Sequence, residues 1–267
     1  MKIDWSALRT ELSVWKAQGR VLPFWWRDDD AIEVTLELEQ LSELAENVSV
    51  PVHLAVIPRD ASAQLGEHIA ASQSLIPVVH GWGHINHQAQ ASANSGQETP
   101  RIRPSANMKS AEFGASRSLA DKEADILRAF EKIHDLAGNK MAPMFVPPWN
   151  RIDPAIFPSL VRVGYTAIST YQPRPKAQPV PGLEQINTHL DPIFWRGTRG
   201  LVDPDTLVSF TIQNLQDRRN GTTDIREPFG FLTHHLVHNG DIWEFSRQFL
   251  NEMCDGPVRL YRHDRKV

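Results

Sequence analysis

The chain has almost no cysteine: Cys254 is the single one among 267 residues, so an internal disulfide is excluded. It also lacks an excess of positive charge. Lys and Arg number 28 against 32 Asp and Glu, for a formal net charge of -4. No basic run offers a footprint for nucleic acid or for an anionic membrane surface. Long apolar runs are missing as well, and no window approaches the ~20 residues that span a bilayer. The first residues, Met1-Lys2-Ile3-Asp4-Trp5-Ser6, hold neither an apolar h-region nor a small-residue cleavage site. Together these absences set the expectation of a cytoplasmic protein with no nucleic-acid or membrane partner. Repeats and low-complexity tracts are absent too, and no shift in composition marks a boundary. A single domain over residues 1–267 is therefore expected.

What is present alternates. Apolar runs at 21–26, 52–57, 75–79, 144–146, 165–169, 192–195 and 229–233 read as seven strands. Between and around them lie stretches with helical spacing. Trp5, Leu8, Leu12 and Trp15 form one apolar stripe, and Leu119, Ile126, Leu127, Phe130 and Ile133 form another. Further helices are expected at 35–47, 63–71, 154–163, 204–218 and 240–253. Sustained strand–helix alternation implies an α/β fold with a parallel sheet and helices outside it, as a barrel or an open doubly wound sheet. One polar stretch, 85–117, is long for a connection in a compact domain and reads as a lid or binding loop.

In such folds chemistry collects where strands end. The first strand runs into Arg27-Asp28-Asp29-Asp30. Three adjacent carboxylates are costly to bury unless a cation holds them. The third strand ends in His80-Gly81-Trp82-Gly83-His84, two imidazoles whose intervening glycines permit a bend. The fourth ends in Pro147-Pro148-Trp149-Asn150-Arg151 and the seventh in His234-His235. Two His and one carboxylate make a divalent-metal site with open positions. A second carboxylate is then available as general base and a His from another strand as general acid. Taken singly, each of these is more often a solvated turn or a core histidine. The argument rests on four strand exits supplying compatible groups. Strand alternation alone would pair Asp28 with Asp30 on one face, leaving open whether Asp28 or Asp29 is the base.

The ordered set resembles the polysaccharide deacetylase (NodB-homology) superfamily, carbohydrate esterase family four. Its Thr-Phe-Asp-Asp-Gly motif is similar to Arg27-Asp28-Asp29-Asp30-Ala31, its His-(Ser/Thr)-x-x-His motif to His80-Gly81-Trp82-Gly83-His84, and its Leu-x-His motif to Leu232-Thr233-His234. The resemblance implies a distorted (β/α)7 barrel of the polysaccharide deacetylase type. It also implies a metal-dependent hydrolase that removes acetyl from an N-acetylated sugar or related compound. Asp29 would be the base and His234 the acid, with metal on Asp30, His80 and His84. Zinc is expected first, with cobalt, nickel, manganese or magnesium as alternatives. The substrate would be a small molecule or oligosaccharide, with Pro147, Trp149, Trp82 and Arg151 contributing to its site. Two departures stand out. Gly81 replaces the hydroxyl residue, and Val146 replaces the third-motif arginine that tunes the catalytic Asp, so Arg27 or Arg151 is expected to substitute. The alternatives are a hydrolase of a small non-sugar amide on the same fold, or an inactive carbohydrate-binding relative.

Overall fold

The structure is a computed structural model that describes residues 1–88 and 109–263. Seven parallel strands form one curled sheet: β1 Leu22–Ala31, β2 Val52–Val56, β3 Leu75–His80, β4 Met144–Val146, β5 Ala167–Ile168, β6 Glu184–Gln185 and β7 Phe229–Thr233, in the order β6-β5-β4-β3-β2-β1-β7. An eighth strand, β8 Val258–Leu260, pairs with the start of β1. Seven α-helices cover the outside: α1 Ser6–Ala17, α2 Leu36–Val48, α3 Ala63–Ala71, α4 Leu119–Ala137, α5 Phe157–Val163, α6 Pro204–Arg219 and α7 Gly240–Cys254. Their starts follow local chemistry. The side chains of Thr35, Ser62, Ser118, Asp203 and Asn239 each accept a backbone N–H of the first turn.

The chain from 184 to 190 bridges the seam of the barrel. Ile186 N donates to Ile168 O at 2.9 Å and Thr188 N to Thr170 O at 3.0 Å, beside β5. Farther on, His189 N donates to Gly230 O at 2.7 Å, beside β7. The sixth strand thus differs from the expected 192–195. The apolar run there is a surface turn in which Phe194 and Trp195 are exposed. The true sixth strand is polar at Glu184 and Gln185 and carries no apolar signal. β8 is too short to register as a pattern. Most of the long polar segment 85–117 lies outside the described residues, and its character as a lid is not addressed.

Side-chain alternation sorts the core into two parts. The larger one lies between sheet and helices and includes Phe24, Trp26, Leu54, Val79, Phe145 and Phe231. The smaller one fills the barrel: Trp25, Ala55, Ile76, Val78, Ala142, Met144, Val146, Ala167 and Ile186. Trp25 is its largest member, and Gly230 makes room for it: a Cβ there would meet Trp25 Nε1 at 2.4 Å. Stepping by two from these inner residues toward the strand ends reaches Arg27 and Asp29 on β1, His80 on β3 and Ser169 after β5. The same alternation that packs the interior sets these polar groups above it.

Candidate metal centre and active site

β1 keeps strand geometry through Asp28, which pairs with Leu54 on one side and Thr233 on the other, and then shifts register before Ala31. The break is at Asp30, whose φ is 81°. A carboxylate residue tolerates this left-handed region better than most. The three aspartates consequently take three directions.

Asp28 points to the end of β7. It accepts from Thr233 Oγ1 at 2.5 Å, from His235 N at 3.0 Å and from His235 Nδ1. Trp26 Nε1 donates to Thr233 Oγ1 at 2.8 Å and completes the anchor. Burial works against the Asp28 charge, but His235 and Thr233 overcome it and hold the carboxyl below its ordinary value. Asp29 points inward to Arg27, with Nη2 donating to Oδ2 and Nε facing Oδ1, both at 2.9 Å. Arg27 is fully buried and also donates to Ser169 Oγ at 2.6 Å and to Asn150 Oδ1 at 2.7 Å.

Asp30 turns to the histidines. Its Oδ1 lies 3.1 Å from His80 Nε2 and 3.5 Å from His84 Nε2, and one ligand atom from each of the three residues falls within 4.8 Å of the others. His80 Nδ1 donates to Val146 O at 3.0 Å, which fixes the tautomer with the Nε2 lone pair aimed at Asp30. Acceptors then face one another across the cluster, an arrangement that calls for a proton or a metal ion between them. Bonds of about 2.0–2.1 Å around a tetrahedral zinc leave neighbouring donors roughly 3.3 Å apart, so the donor set and its spacing fit a divalent cation. Burial opposes the Asp30 charge, yet His80, His234 and His84 hold its carboxyl well below the carboxylate range.

The β4 exit is tightly wound. Trp149 and Asn150 both sit at φ 56°, a conformation that costs a bulky side chain free energy and needs surrounding contacts to persist. Here it sets the Trp149 ring against His84, with ring centroids 4.3 Å apart and the planes tilted by 55°, and delivers Asn150 to Arg27. Pro147 is buried beneath this turn.

Two expected residues make other contacts. Trp82 packs against the outer core with the Arg128 guanidinium of α4 over its ring at 4.7 Å. Arg151 donates to Ser110 O at 2.8 Å and lines a cleft of about 600 Å³ shared with Asn150, Phe157, Thr170 and Lys176. Of the two candidates for the missing arginine's place, Arg27 is the one that meets Asp29.

His234 and His235 separate cleanly. His235 is fully buried and tied to Asp28. His234 is half-buried, with the edge of Trp195 at 4.7 Å and 77°, and its charge is felt by both Asp30 and Asp191. Asp191 escaped the sequence reading. It accepts from Trp195 Nε1 at 2.7 Å and from Ile193 N at 2.9 Å, and its enclosure pushes its carboxyl up. The run Asp191-Pro192-Ile193-Phe194-Trp195 could have signalled a turn through its Asp-Pro start. Asn150 and Ser169 carry no local signal of their role.

A curled α/β barrel with this exit chemistry has the fold of the polysaccharide deacetylases. The chain is similar to a proposed polysaccharide deacetylase of Mycobacterium smegmatis, with TM-score 0.59 and 15% identity over 84% of this chain and 73% of that one. It is also similar to a pseudoenzyme of carbohydrate esterase family 4 from Bacillus anthracis, with TM-score 0.54 and 11% identity over 90% and 64% of the two chains. A family 4 carbohydrate esterase from Streptomyces lividans, solved with acetate, gives TM-score 0.53 and 11% identity over 90% and 92%. At such identities the likeness is one of fold. No family model matches the sequence, and no curated protein matches it significantly.

Proposed function

We propose that this protein is a metal-dependent deacetylase that hydrolyses an N-acetyl amide on a sugar or related compound. The observation that carries the reading is the convergence of Asp30, His80 and His84 beside an aspartate, Asp29, held by a buried arginine. Asp30, His80 and His84 would hold a divalent cation, zinc by preference, which when bound would supply Lewis-acid polarisation of the amide carbonyl and acidify water.

The chain's own groups divide the proton work. Asp29 is oriented by Arg27 and takes the proton from the attacking water. His234, held at the opposite strand exit by the Asp28–His235 anchor, gives a proton to the departing amine. Trp195 limits the ring's freedom, and Trp149 lies against His84 to form one wall. The cleft beyond Asn150 is large enough for a sugar unit or two and is walled by Ile152, Phe157, Pro179 and Val180. The similarity to a family 4 esterase solved with acetate supports the acyl class.

A second reading, an inactive binding relative, is favoured by the similarity to the family 4 pseudoenzyme. Retention here of Asp29, His234 and the full ligand set weighs against it. Acetate release from acetylated chito-oligosaccharides and from simple N-acyl amides, measured with zinc-loaded protein, tests the proposal. Release from the sugars supports it. Release from the simple amides alone moves the substrate to a non-sugar amide, and no release from either leaves the binding relative.

A further inference from the structure

Glu112 has no place in the proton chemistry, yet its carboxylate is buried beside the metal-ligand loop at 1% exposure. It accepts from Gly83 N at 2.9 Å and Trp82 N at 3.1 Å, with Ile85 N at 3.4 Å. Two of those amides belong to the five-residue stretch His80–His84 that carries both imidazoles, and Ile85 follows it directly. Gly81 opens the stretch at φ 59°, and the turn that follows gathers successive N–H groups into an anion-binding concavity. The anion in it is the protein's own side chain. A Cβ on Gly81 would stand 2.2 Å from Glu112 Oε2 and 2.6 Å from Pro148 Cδ. Residue 81 therefore cannot carry a side chain that holds the loop from within, and the space is filled from outside.

The element bearing Glu112 is fixed to both loops of the site. On the histidine side, His87 N donates to Ala111 O at 3.1 Å and Ala111 N to Asn86 Oδ1 at 3.2 Å. On the β4 side, Phe113 bridges Ile152, Asp153 N donates to Phe113 O at 2.8 Å, and Arg151 Nη1 donates to Ser110 O at 2.8 Å. Residues 110–113 thus lie between the loop that presents His84 and the turn that sets Trp149 against it.

We propose that Glu112 is a positioning residue that preforms the His80–His84 loop for metal, in place of a side chain at position 81. Gly81 adopts its positive φ freely, but His84 at φ 53° is held in a region costly for a side chain and would relax without a partner for the intervening amides. Metal affinity would then fall by the cost of reordering the loop. The inference rests on the metal-site reading above but not on turnover.

The test is Co²⁺ affinity of the full chain, measured by competition with a chromophoric chelator, for wild type, Glu112→Ala and Glu112→Gln. Outer partners of metal ligands typically contribute about 10–100-fold in affinity. A loss in that range is expected for Glu112→Ala and a smaller one for Glu112→Gln, whose single carbonyl oxygen retains part of the clamp. Affinity within twofold of wild type in folded Glu112→Ala overturns the inference and leaves the metal site standing. Failure of wild type to bind Co²⁺ strikes the metal reading instead. Amide exchange in metal-free wild type decides the clamp without any variant. Slowed exchange at Trp82 and Gly83 is expected, and exchange at the rate of an open loop overturns it.

Discussion

Arg27 reaches Asp29 from two residues back on the same strand, Nη2 to Oδ2 and Nε to Oδ1, both at 2.9 Å. Side chains at that spacing share a face of a strand, so the pairing needs no help from another loop. The guanidinium is steadied further by Ser169, Asn150 and Thr170 O, which accept its other Nη protons. Replacing Arg27 with Met leaves a buried carboxylate unpaired, a loss of about 3–5 kcal/mol in denaturation experiments. Arg27→Lys keeps the charge but not the fork, and is expected to fold yet turn over more slowly through kcat. Equal kcat for Arg27→Lys and wild type would remove Arg27 from the positioning of Asp29.

Asp29→Asn and His234→Ala each remove one half of the proton transfer. A fall in kcat of about 10²–10⁴-fold is expected for each, with bound metal unchanged because neither supplies a ligand. Metal content by elemental analysis, beside acetate release, separates this from a role in metal binding. Loss of metal in Asp29→Asn would reassign it as a ligand.

Asp28 is a structural acid, and its removal is expected to cost stability first. Asp28→Ala strips the anchor of Thr233 and His235 and strands a buried imidazole, at about 3–5 kcal/mol. Urea unfolding reads this directly. A change under 1 kcal/mol would show that β7 holds its exit without the aspartate.

Stability should also fall in acid. Burial lowers His53 to about 3 and His189 to about 4. The unfolded chain takes up these protons near pH 6.5, while the folded one does not until far lower. The contribution of these two histidines is therefore full above pH 6.5 and declines as pH drops toward 4, by up to about 1.4 kcal/mol per pH unit for each. Urea midpoints at pH 7.5, 6 and 5 measure the slope, and His53→Gln should flatten it; an unchanged slope in that variant contradicts the assignment.

Much of this was legible in the chain because buried parallel strands and amphipathic helices leave strong periodic marks. Among the described residues all seven expected helices are found, and so are the first five expected strands and the seventh. The sixth strand was missed because pairing at Glu184 and Gln185 is made by backbone, on side chains with no apolar pattern. The metal triad was readable because its residue types are rare at strand exits. What stayed hidden depended on long-range packing. Nothing in Asn150, Ser169 or Glu112 announces a partner, and Asp191 gains its meaning from Trp195 and His234. The direction of each aspartate was likewise out of reach, since it turns on one φ angle, at Asp30.

The central claim is that Asp30, His80 and His84 hold a catalytic divalent cation. Acetate release from acetylated chito-oligosaccharides should be measured on chelator-stripped protein before and after one equivalent of zinc, with His84→Ala beside wild type. Release that appears only on adding zinc, and only in wild type, is the expected result. Equal release from stripped protein, or from the variant, would contradict the account.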